Sequence, residues 1–472
     1  MAYEREKQMV PQFSQFERKD FAFLESVVGE DNVSIEESEL LINATDALGG
    51  EWTKPDAVVW PQDSGQVSKI VSYANERRLP ITPRGGGSSL SGNVVPAHHG
   101  IVLNFRRMNK IIEIFAKDLQ VKAEPGVVYD ELNTILEPSN LFFPPDPGSS
   151  AVCTIGGMIA NNASGLGAVR YGVTRDYVIG LEVVLPNGNV ISVGSRAAKS
   201  ATGYDLIGLF VGSEGTLGVI TEVTLKLRTL PPAKKTALVY FDSVSSAMDA
   251  VSESMNRGLN PAALEFLDLP TIVAVNRSKN LGLLERESLL LIEFHGSGEA
   301  IEEELKRALE ICRRHGGGDI HEAADNDERK KLWTGRKAAY PSLLQSAPNV
   351  LIGDIVVPIS RITEMLEQAY KIAQRNRVGL ACFGHCGDGN IHPNILGNRA
   401  DKELWSRVTK TNEEIVEFAI GLGGVSSGEH GIGIEKKQFM ELQHGDSLGL
   451  MKEIKRLFDP QNIMNPGKFF DL

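Results

Sequence analysis

The sequence contains little cysteine and no long apolar run. Four cysteines among 472 residues are too few for a disulfide framework, which favours a reducing compartment. No stretch approaches the ~18 uncharged apolar residues of a membrane-spanning helix. The first twenty residues are charged and lack the apolar segment of a signal peptide. We therefore expect a cytoplasmic protein with no transmembrane segment, and peripheral attachment to a membrane through a partner stays open.

Basic residues are outnumbered in this chain. The 49 lysines and arginines face 61 aspartates and glutamates, a formal net charge of −12. This balance argues against nucleic acid as a partner. An anionic substrate would need a locally positive pocket. The length permits two or three domains and an ample core.

The two common nucleotide-binding motifs are also missing. No Gly-x-Gly-x-x-Gly follows a strand in this region, and no Gly-Lys-Ser/Thr closes a loop. Instead, residues 83–92 read PRGGGSSLSG and lie between two predicted strands, 79–82 and 100–103. Three consecutive glycines allow positive φ angles and close backbone approach, so several N–H groups can converge on a phosphate. A flexible linker is the alternative for this loop taken alone.

Two further glycine-rich regions favour a ligand-binding loop over a flexible linker. The first, residues 142–178, contains paired glycines and asparagines among small residues. The second, residues 201–220, leads into the alternating strand 220–225. Three such regions in one domain indicate an extended ligand.

The runs PRGGGSSLSG, PPDPGSS with TIGGMIANNASG, and GLFVGSEGTLGVIT resemble the flavin domain of the vanillyl-alcohol oxidase type of FAD enzymes. Within that type, the chain is similar to the branch of D-lactate dehydrogenases and glycolate oxidase catalytic subunits, from about Pro55 to the C-terminus. No histidine or cysteine occupies the first loop where relatives attach flavin covalently, so the resemblance implies non-covalent FAD. It implies FAD contacts from Pro83, Arg84, Gly85, Gly86, Gly87, Ser88, Ser89, Gly92, Pro147, Gly148, Thr154, Gly156, Gly157, Asn161, Ser164, Gly165, Gly172, Glu214, Gly218, Ile220 and Asn465.

Strand and helix patterns together with the resemblance predict an α+β fold. We expect a helical segment over residues 1–50 that packs on a two-subdomain flavin domain of the p-cresol methylhydroxylase (PCMH) type, residues 51–232. An α+β cap domain with an antiparallel sheet follows over residues 233–425, and residues 426–472 return to the flavin. Pro231-Pro232 marks the domain end, and Asn187-Gly188 predicts a hairpin.

Candidate metal ligands are concentrated in residues 380–394. Asp388-Gly389 predicts a chain reversal, which would bring His385 opposite His392 on the following strand. Two imidazoles placed together suit a divalent metal. The alternatives are a structural zinc site that adds Cys382 and Cys386 to the two histidines, and two core histidines satisfied by backbone groups.

An adjacent carboxylate and imidazole, Glu429 and His430, occur in the glycine-flanked run SSGEHGIG. Since two neighbouring side chains cannot easily aim at one ion, such a pair suits one metal ligand and one base; a surface pair is the alternative. The resemblance implies a zinc or manganese site formed by His385, His392 and Glu429, with His430 as the general base and Asn394 beside the substrate.

Arg336 corresponds to the arginine that binds the substrate carboxylate in the family that the chain resembles. A guanidinium can grip a carboxylate with two parallel hydrogen bonds, which neighbouring Lys337 cannot. A solvated charge on a helix is the alternative. Relatives that act on five-carbon diacids carry a lysine near the positions of Gly353 and Asp354, and its absence here favours a short substrate.

The resemblance therefore implies a FAD-dependent dehydrogenase that oxidises a D-2-hydroxy acid, D-lactate or glycolate, to the 2-oxo acid. The chain has no cysteine array for an iron–sulfur cluster and no nicotinamide motif, so the electron acceptor is expected to be external. An iron–sulfur subunit and an electron-transferring flavoprotein are both compatible, as is a homodimer. The open alternatives are D-2-hydroxyglutarate oxidation, a silent flavin-binding subunit, a transferase related to ether-lipid synthesis, and a structural zinc protein.

Overall fold

The computed structural model of the chain describes residues 13–49 and 53–472. The strands before Pro231 are β1 (Val33–Ser34), β2 (Ala57–Val59), β3 (Ile81–Arg84), β4 (Ile101–Asn104), β5 (Ile111–Phe115), β6 (Gln120–Ala123), β7 (Leu141–Phe142), β8 (Val178–Val184), β9 (Val190–Gly194), β10 (Val219–Lys226) and β11 (Arg228–Thr229). The helices of the same part are α1 (Arg18–Val28), α2 (Glu37–Asn43), α3 (Ser64–Arg77), α4 (Tyr129–Leu136), α5 (Ile155–Asn161), α6 (Ala168–Tyr171) and α7 (Leu206–Phe210).

The remaining elements follow Pro232. The strands are β12 (Ala233–Phe241), β13 (Ala263–Asp268), β14 (Ser288–Gly296), β15 (Gly318–Glu322), β16 (Asn349–Ile352), β17 (Ile355–Val356), β18 (Gly379–His385) and β19 (Asn390–Gly397). The helices are α8 (Val244–Asn256), α9 (Leu269–Lys279), α10 (Gly298–Arg314), α11 (Asn326–Lys337), α12 (Ala339–Leu343), α13 (Ile362–Asn376), α14 (Lys402–Gly421), α15 (Met440–His444) and α16 (Ser447–Phe458).

Strands β1 to β11 form three sheets. A four-stranded sheet has the order β1-β2-β4-β3, in which β4 runs parallel to both β2 and β3. A five-stranded antiparallel sheet has the order β5-β6-β10-β8-β9. The predicted hairpin at Asn187-Gly188 joins β8 to β9, and β7 pairs with β11. The glycine-rich loop therefore begins directly after β3, a mostly buried strand of the four-stranded sheet, and this position does not fit a flexible linker.

Strands β12 to β19 form one antiparallel sheet of order β15-β12-β14-β13-β18-β19-β16, with β17 paired to β19. Successive residues of β12 and β14 alternate between two cores, as strand geometry requires. Phe241 and Phe294 face a core shared with α8, α10, α13 and α14. Tyr240 and Leu291 face a second core shared with α9, α11 and α12. The expected α+β fold with an antiparallel cap sheet is confirmed.

Helix α1 packs on α3 through one buried carboxylate and one ring stack. Asp20 is fully buried and accepts hydrogen bonds from Tyr73 Oη at 2.6 Å and Arg77 Nε at 2.8 Å. Phe23 stacks on Tyr73 with ring centroids 3.8 Å apart. The predicted all-helical segment is wrong at β1, where Val33 pairs with Val59, because a β-branched residue suits a sheet edge. Residues 1–12 and 50 of that segment lie outside the described residues.

The chain end packs against the strand that leads into the first loop. Ile81 donates its N–H to Ile463 at 2.7 Å and accepts from Asn465 N at 2.7 Å. This covers the outer edge of β3. Among the described residues, no helix combines the length and the apolar character needed to cross a membrane.

Candidate active site

A tight hairpin formed by β18 and β19 brings two histidines together. Gly389 turns the chain with φ 83°, and Phe383 pairs with His392 across the two strands. The rings of His385 and His392 lie 5.3 Å apart, centroid to centroid, at an interplanar angle of 87°. The reversal predicted from Asp388-Gly389 is present, and it places both imidazoles on one side of the hairpin.

Hydrogen bonds fix which nitrogen each histidine turns toward the site. His392 Nδ1 lies 3.2 Å from the carbonyl oxygen of Gly353, and His385 Nδ1 lies 2.8 Å from Glu265 Oε1. Each Nδ1–H can donate to that acceptor, so Nε2 is the nitrogen turned toward the site, and it must carry no proton when it binds a metal ion. Both Nε2 atoms face Glu429 Oε1, at 3.7 Å from His385 and 3.3 Å from His392.

Two buried carboxylates clamp the loop that carries Glu429 and His430. Asp354 Oδ2 accepts the N–H groups of Gly428, Glu429 and His430 at 3.0, 3.0 and 2.9 Å. On the other side, Glu214 accepts from Ile432 N at 2.6 Å and Gly433 N at 2.9 Å. Charge-assisted hydrogen bonds of this kind are stronger than neutral ones. The loop conformation is therefore set by groups from both halves of the chain.

Burial and neighbouring charges shift the pKa values of His385, His430 and Glu429 in different directions. Burial lowers the pKa of His430 to about 4, so this imidazole is neutral at neutral pH. Burial also opposes charge on His385, but the carboxylates of Glu265 and Glu429 raise its pKa to about 10. Despite burial, hydrogen bonds from His385 and His392 hold the pKa of Glu429 well below its usual range. The cluster thus combines a neutral imidazole with an ionised carboxylate.

The donor set fits a divalent metal. Ligand atoms of Asp354, His392, Glu429 and His430 all lie within 4.8 Å of one another. Glu429 Oε2 and His430 Nδ1 are buried and have no hydrogen-bond partner among the described residues. Asp354 already accepts several N–H groups, so on hydrogen-bonding grounds His385 is a better metal ligand than Asp354 beside His392 and Glu429. Nitrogen and oxygen donors of this kind suit zinc or manganese.

The cysteine alternative is not supported by the geometry. Within the part of the chain that the structure describes, the metal-ligand cluster contains no cysteine. Cys386 Sγ donates to the carbonyl of Leu264 at 3.1 Å, and burial raises the pKa of the Cys382 thiol well above its usual value. Both thiols therefore belong to the core.

Glu265 joins the predicted substrate arginine to the histidine cluster, and the sequence analysis missed it. Arg336 is buried, and its Nε donates to Glu265 Oε2 at 2.6 Å. The guanidinium carbon lies 4.8 Å from the ring centroid of Phe383. The same carboxylate accepts from His385. The signal was present, because Glu265 lies between apolar residues of the strand sequence ALEFLD, and a carboxylate there must be paired when that strand is buried.

A cavity of about 600 Å³ joins the three glycine-rich regions to the histidine cluster. A cavity of this size is typical for a cofactor or other small ligand. The predicted residues that line it are Pro83, Arg84, Gly85, Gly86, Gly87, Ser88, Ser89, Pro147, Gly148, Thr154, Gly156, Gly157, Asn161, Glu214, Gly218, Ile220, Arg336, His385, His392, Glu429 and His430. The structure thus brings most predicted cofactor, metal and catalytic residues to one space.

Six predicted residues do not line this cavity: Gly92, Ser164, Gly165, Gly172, Asn394 and Asn465. Asn465 Nδ2 instead donates to the backbone of Glu214 at 2.7 Å, and Asn394 Nδ2 donates to His392 O at 2.7 Å. Gly92 N donates to the Asp46 carboxylate at 2.8 Å. Asn394 and Asn465 therefore hold the backbone of two cavity-lining residues, His392 and Glu214.

The first loop fits a phosphate group. The amide N–H groups of residues 86–89 have no hydrogen-bond acceptor among the described residues. Its glycines also serve loop packing, since a Cβ on Gly85 would lie 2.2 Å from Thr154 Oγ1 and one on Gly86 would lie 2.1 Å from the oxygen of Val152. Glycine is therefore required here because the first two glycine-rich regions touch, which the sequence did not reveal.

Two family models match the chain. The FAD binding domain matches residues 55–194, and the C-terminal domain of FAD linked oxidases matches residues 230–469. The glycolate oxidase subunit GlcD of Bacillus subtilis is 39% identical over 446 residues, covering 94% of this chain and 95% of that protein. A mitochondrial D-lactate dehydrogenase [cytochrome] of Arabidopsis thaliana is 39% identical and covers 88% of this chain and 73% of that protein.

Solved structures agree at the level of the fold. Alkyldihydroxyacetonephosphate synthase superposes with a TM-score of 0.77 at 18% identity, covering 97% of this chain and 87% of that chain. Substrate-bound p-cresol methylhydroxylase gives a TM-score of 0.77 at 18% identity, with 96% of each chain covered. The family models and the relatives together show a FAD-dependent oxidoreductase. The chain belongs to the FAD-linked oxidase family, in the branch of glycolate oxidase GlcD subunits and D-lactate dehydrogenases.

Proposed function

We propose that this protein oxidises a D-2-hydroxy acid, D-lactate or glycolate, to the corresponding 2-oxo acid. The relatives' names support a FAD-dependent hydroxy acid dehydrogenase. The observation that carries the proposal is the convergence of Arg336, His430 and the His385–His392–Glu429 cluster on one FAD-sized cavity.

Each side chain has a distinct task in this proposal. The Nε–H of Arg336 donates to Glu265, so the two terminal nitrogens remain available to donate to both oxygens of the substrate carboxylate. His430 is neutral and accepts the proton of the 2-hydroxyl. His385, His392 and Glu429 hold the metal. When bound, FAD supplies the hydride acceptor, and a zinc or manganese ion supplies the Lewis acidity that lowers the pKa of the hydroxyl.

We favour a short substrate because no lysine stands at or beside Gly353 and Asp354. Tyr340, Ile352 and Phe383 line the cavity that holds Arg336, and Lys337 lines it as well. D-2-Hydroxyglutarate is the alternative substrate, and it would need a partner for its distal carboxylate. Asn394, which was expected beside the substrate, does not line the cavity and supports His392 by donating to its carbonyl oxygen at 2.7 Å.

The remaining assignments extend the proposal. Residues 53–232 bind FAD, residues 233–425 form the cap, and residues 426–472 return the Glu429–His430 loop to the flavin domain, with residues 13–49 packed outside. An external acceptor, an iron–sulfur subunit or an electron-transferring flavoprotein, reoxidises the flavin. A cytoplasmic location with peripheral attachment through that partner, and a homodimer, belong to the same proposal.

The test is anaerobic bleaching of the purified flavoprotein by a panel of D- and L-2-hydroxy acids, before and after chelation. We expect bleaching by one D-acid or glycolate, loss of bleaching after chelation, and recovery with zinc or manganese, while the folded protein keeps its FAD. Bleaching that is unchanged by the chelator would show that flavin reduction does not require the metal ion. Failure of every acid to bleach the flavin would overturn the proposed function.

A further inference from the structure

A second cavity of about 620 Å³ lies against the flavin cavity. The two cavities share four lining residues, Asp146, Leu166, Lys337 and Pro341. Arg336 lines the flavin cavity, and its neighbour Lys337 lines both. The second cavity therefore adjoins the flavin cavity at Lys337, the residue that follows the predicted substrate arginine.

Five cationic side chains line this cavity, which we call the basic cleft. They are Lys234, Lys279, Arg329, Lys330 and Lys337. Its acidic lining residues are Asp146 and Glu293. Among the described residues, no carboxylate lies within ion-pair distance of Lys234, Lys279 or Lys337. A local excess of positive charge is notable in a chain with a formal net charge of −12.

The charge of Glu293 is compensated within the wall. Its carboxylate accepts from Arg329 Nε at 2.8 Å, Trp333 Nε1 at 2.6 Å and Thr236 Oγ1 at 2.6 Å. His295 Nε2 lies 2.7 Å from its other oxygen, and His295 Nδ1 lies 2.8 Å from Tyr171 Oη. Both oxygens of Glu293 are therefore occupied by hydrogen bonds within this network, so its negative charge does not neutralise the three unpaired lysines.

We propose that the basic cleft is the entrance through which the carboxylate substrate reaches Arg336. This inference rests on the proposed function. The three glycine-rich regions and the substrate cluster share one cavity, so an extended cofactor and a substrate must fill it together. The basic cleft then provides a separate approach, along which a carboxylate passes from Lys234 and Lys279 to Lys337 and on to Arg336. A cleft lined by one sign of charge raises the local concentration and the association rate of an opposite ion.

The test measures anaerobic flavin reduction by rapid mixing, using D-lactate or whichever acid bleaches the wild-type protein, over a range of sodium chloride concentrations. We expect the second-order rate constant to fall with salt in the wild type. The double variant Lys234→Gln/Lys279→Gln should be slower at low salt by roughly tenfold and nearly insensitive to salt. The effect should be confined to the second-order constant.

Lys235→Gln provides the matched control. Lys235 is the next residue on β12 and pairs with Glu302 at 3.1 Å, away from the basic cleft. Removing its charge should leave both the rate and its salt dependence as in the wild type. A double variant that behaves like Lys235→Gln would overturn the entrance proposal.

A second variant tests the route by size. Thr334 is exposed on α11 and lines the basic cleft, so Thr334→Trp fills space without entering the core. We expect slower association at every salt concentration and unchanged FAD content. An unchanged association rate would contradict the route. A wild-type flavin that no acid reduces would overturn the proposed function instead, so the two failures are distinguishable.

Discussion

Glu265 is the residue on which two functions of the site depend. It holds Arg336 through Nε and His385 through Nδ1, and it is fully buried. A metal-binding histidine is oriented by the acceptor of its second nitrogen, and loss of such an acceptor costs about 10- to 100-fold in metal affinity or activity. In the proposed function, Glu265 is therefore a positioning residue for both the substrate and the metal.

Glu265→Gln is expected to weaken metal retention about 10- to 100-fold and to raise KM for the hydroxy acid. The amide can accept only through one oxygen, so it cannot serve Arg336 and His385 equally. Chelator competition and steady-state kinetics measure the two effects. Glu293→Gln is the matched control, since Glu293 is also buried between an arginine and a histidine but outside the flavin cavity. Equal metal loss in both variants would make the role of Glu265 merely structural.

The sequence revealed residue identities better than residue partners. His385, His392, Glu429 and His430 could be predicted because turn chemistry and strand spacing act over a few residues. The role of Asp354 could not be predicted, because it depends on backbone N–H groups more than seventy residues away. No local pattern encodes that contact.

At the scale of elements, the hairpin of β18 and β19 depends on Gly389. Its φ is +83°, and a Cβ there would lie 2.1 Å from the carbonyl oxygen of Val357. Gly316 has the same φ of +83° and nothing within 4 Å of an added Cβ. Alanine at Gly316 would therefore add only backbone strain, whereas alanine at Gly389 would add the same strain and a steric clash.

Gly316→Ala is expected to lower the free energy of unfolding by about 1 to 2 kcal/mol, the cost of a left-handed non-glycine residue. Gly389→Ala should cost more and should also release metal, since the clash displaces the turn between His385 and His392. Urea unfolding and metal analysis of both variants check this. Similar losses in the two variants, with metal retained, would show that the turn is not held against Val357.

A buried acid links α9 to the same hairpin. Asp268 caps α9 through Thr271 N at 2.9 Å and accepts from Cys382 N at 2.6 Å on β18. Burial raises the pKa of Asp268 to about 6. The folded state therefore binds this proton more tightly than the unfolded state, so its contribution to stability is present at low pH and is lost as pH rises to about 6.

We expect the wild type to lose up to about 3 kcal/mol of unfolding free energy relative to Asp268→Asn between about pH 4 and pH 6. Asparagine keeps the helix cap but does not titrate. Denaturant unfolding of both proteins across this range gives the difference. A constant difference between wild type and variant would contradict a raised pKa at Asp268.

At the scale of the whole molecule, the order of strands and helices could be predicted from the sequence. The contacts between the flavin domain and the rest of the chain could not. The alternation of strands and helices after Pro232 predicted the cap sheet, and the three glycine-rich regions predicted one extended cavity. The sequence could not show that Glu214, from the flavin half, holds Ile432 and Gly433 in place. Nor could it show the basic cleft, since Lys234 and Lys279 approach Lys337 only through the folded sheet.

The central claim is that Arg336 and His430 serve hydride removal from C2 of a D-2-hydroxy acid. The most direct measurement is anaerobic flavin reduction by D-lactate and by D-lactate deuterated at C2, in wild type and His430→Gln, with exposed His321→Gln as the control. We predict slower reduction by the deuterated acid, and a loss of about 100-fold or more only in His430→Gln, because a positioned base contributes that much. Equal rates for the two acids and for the two variants would contradict the account.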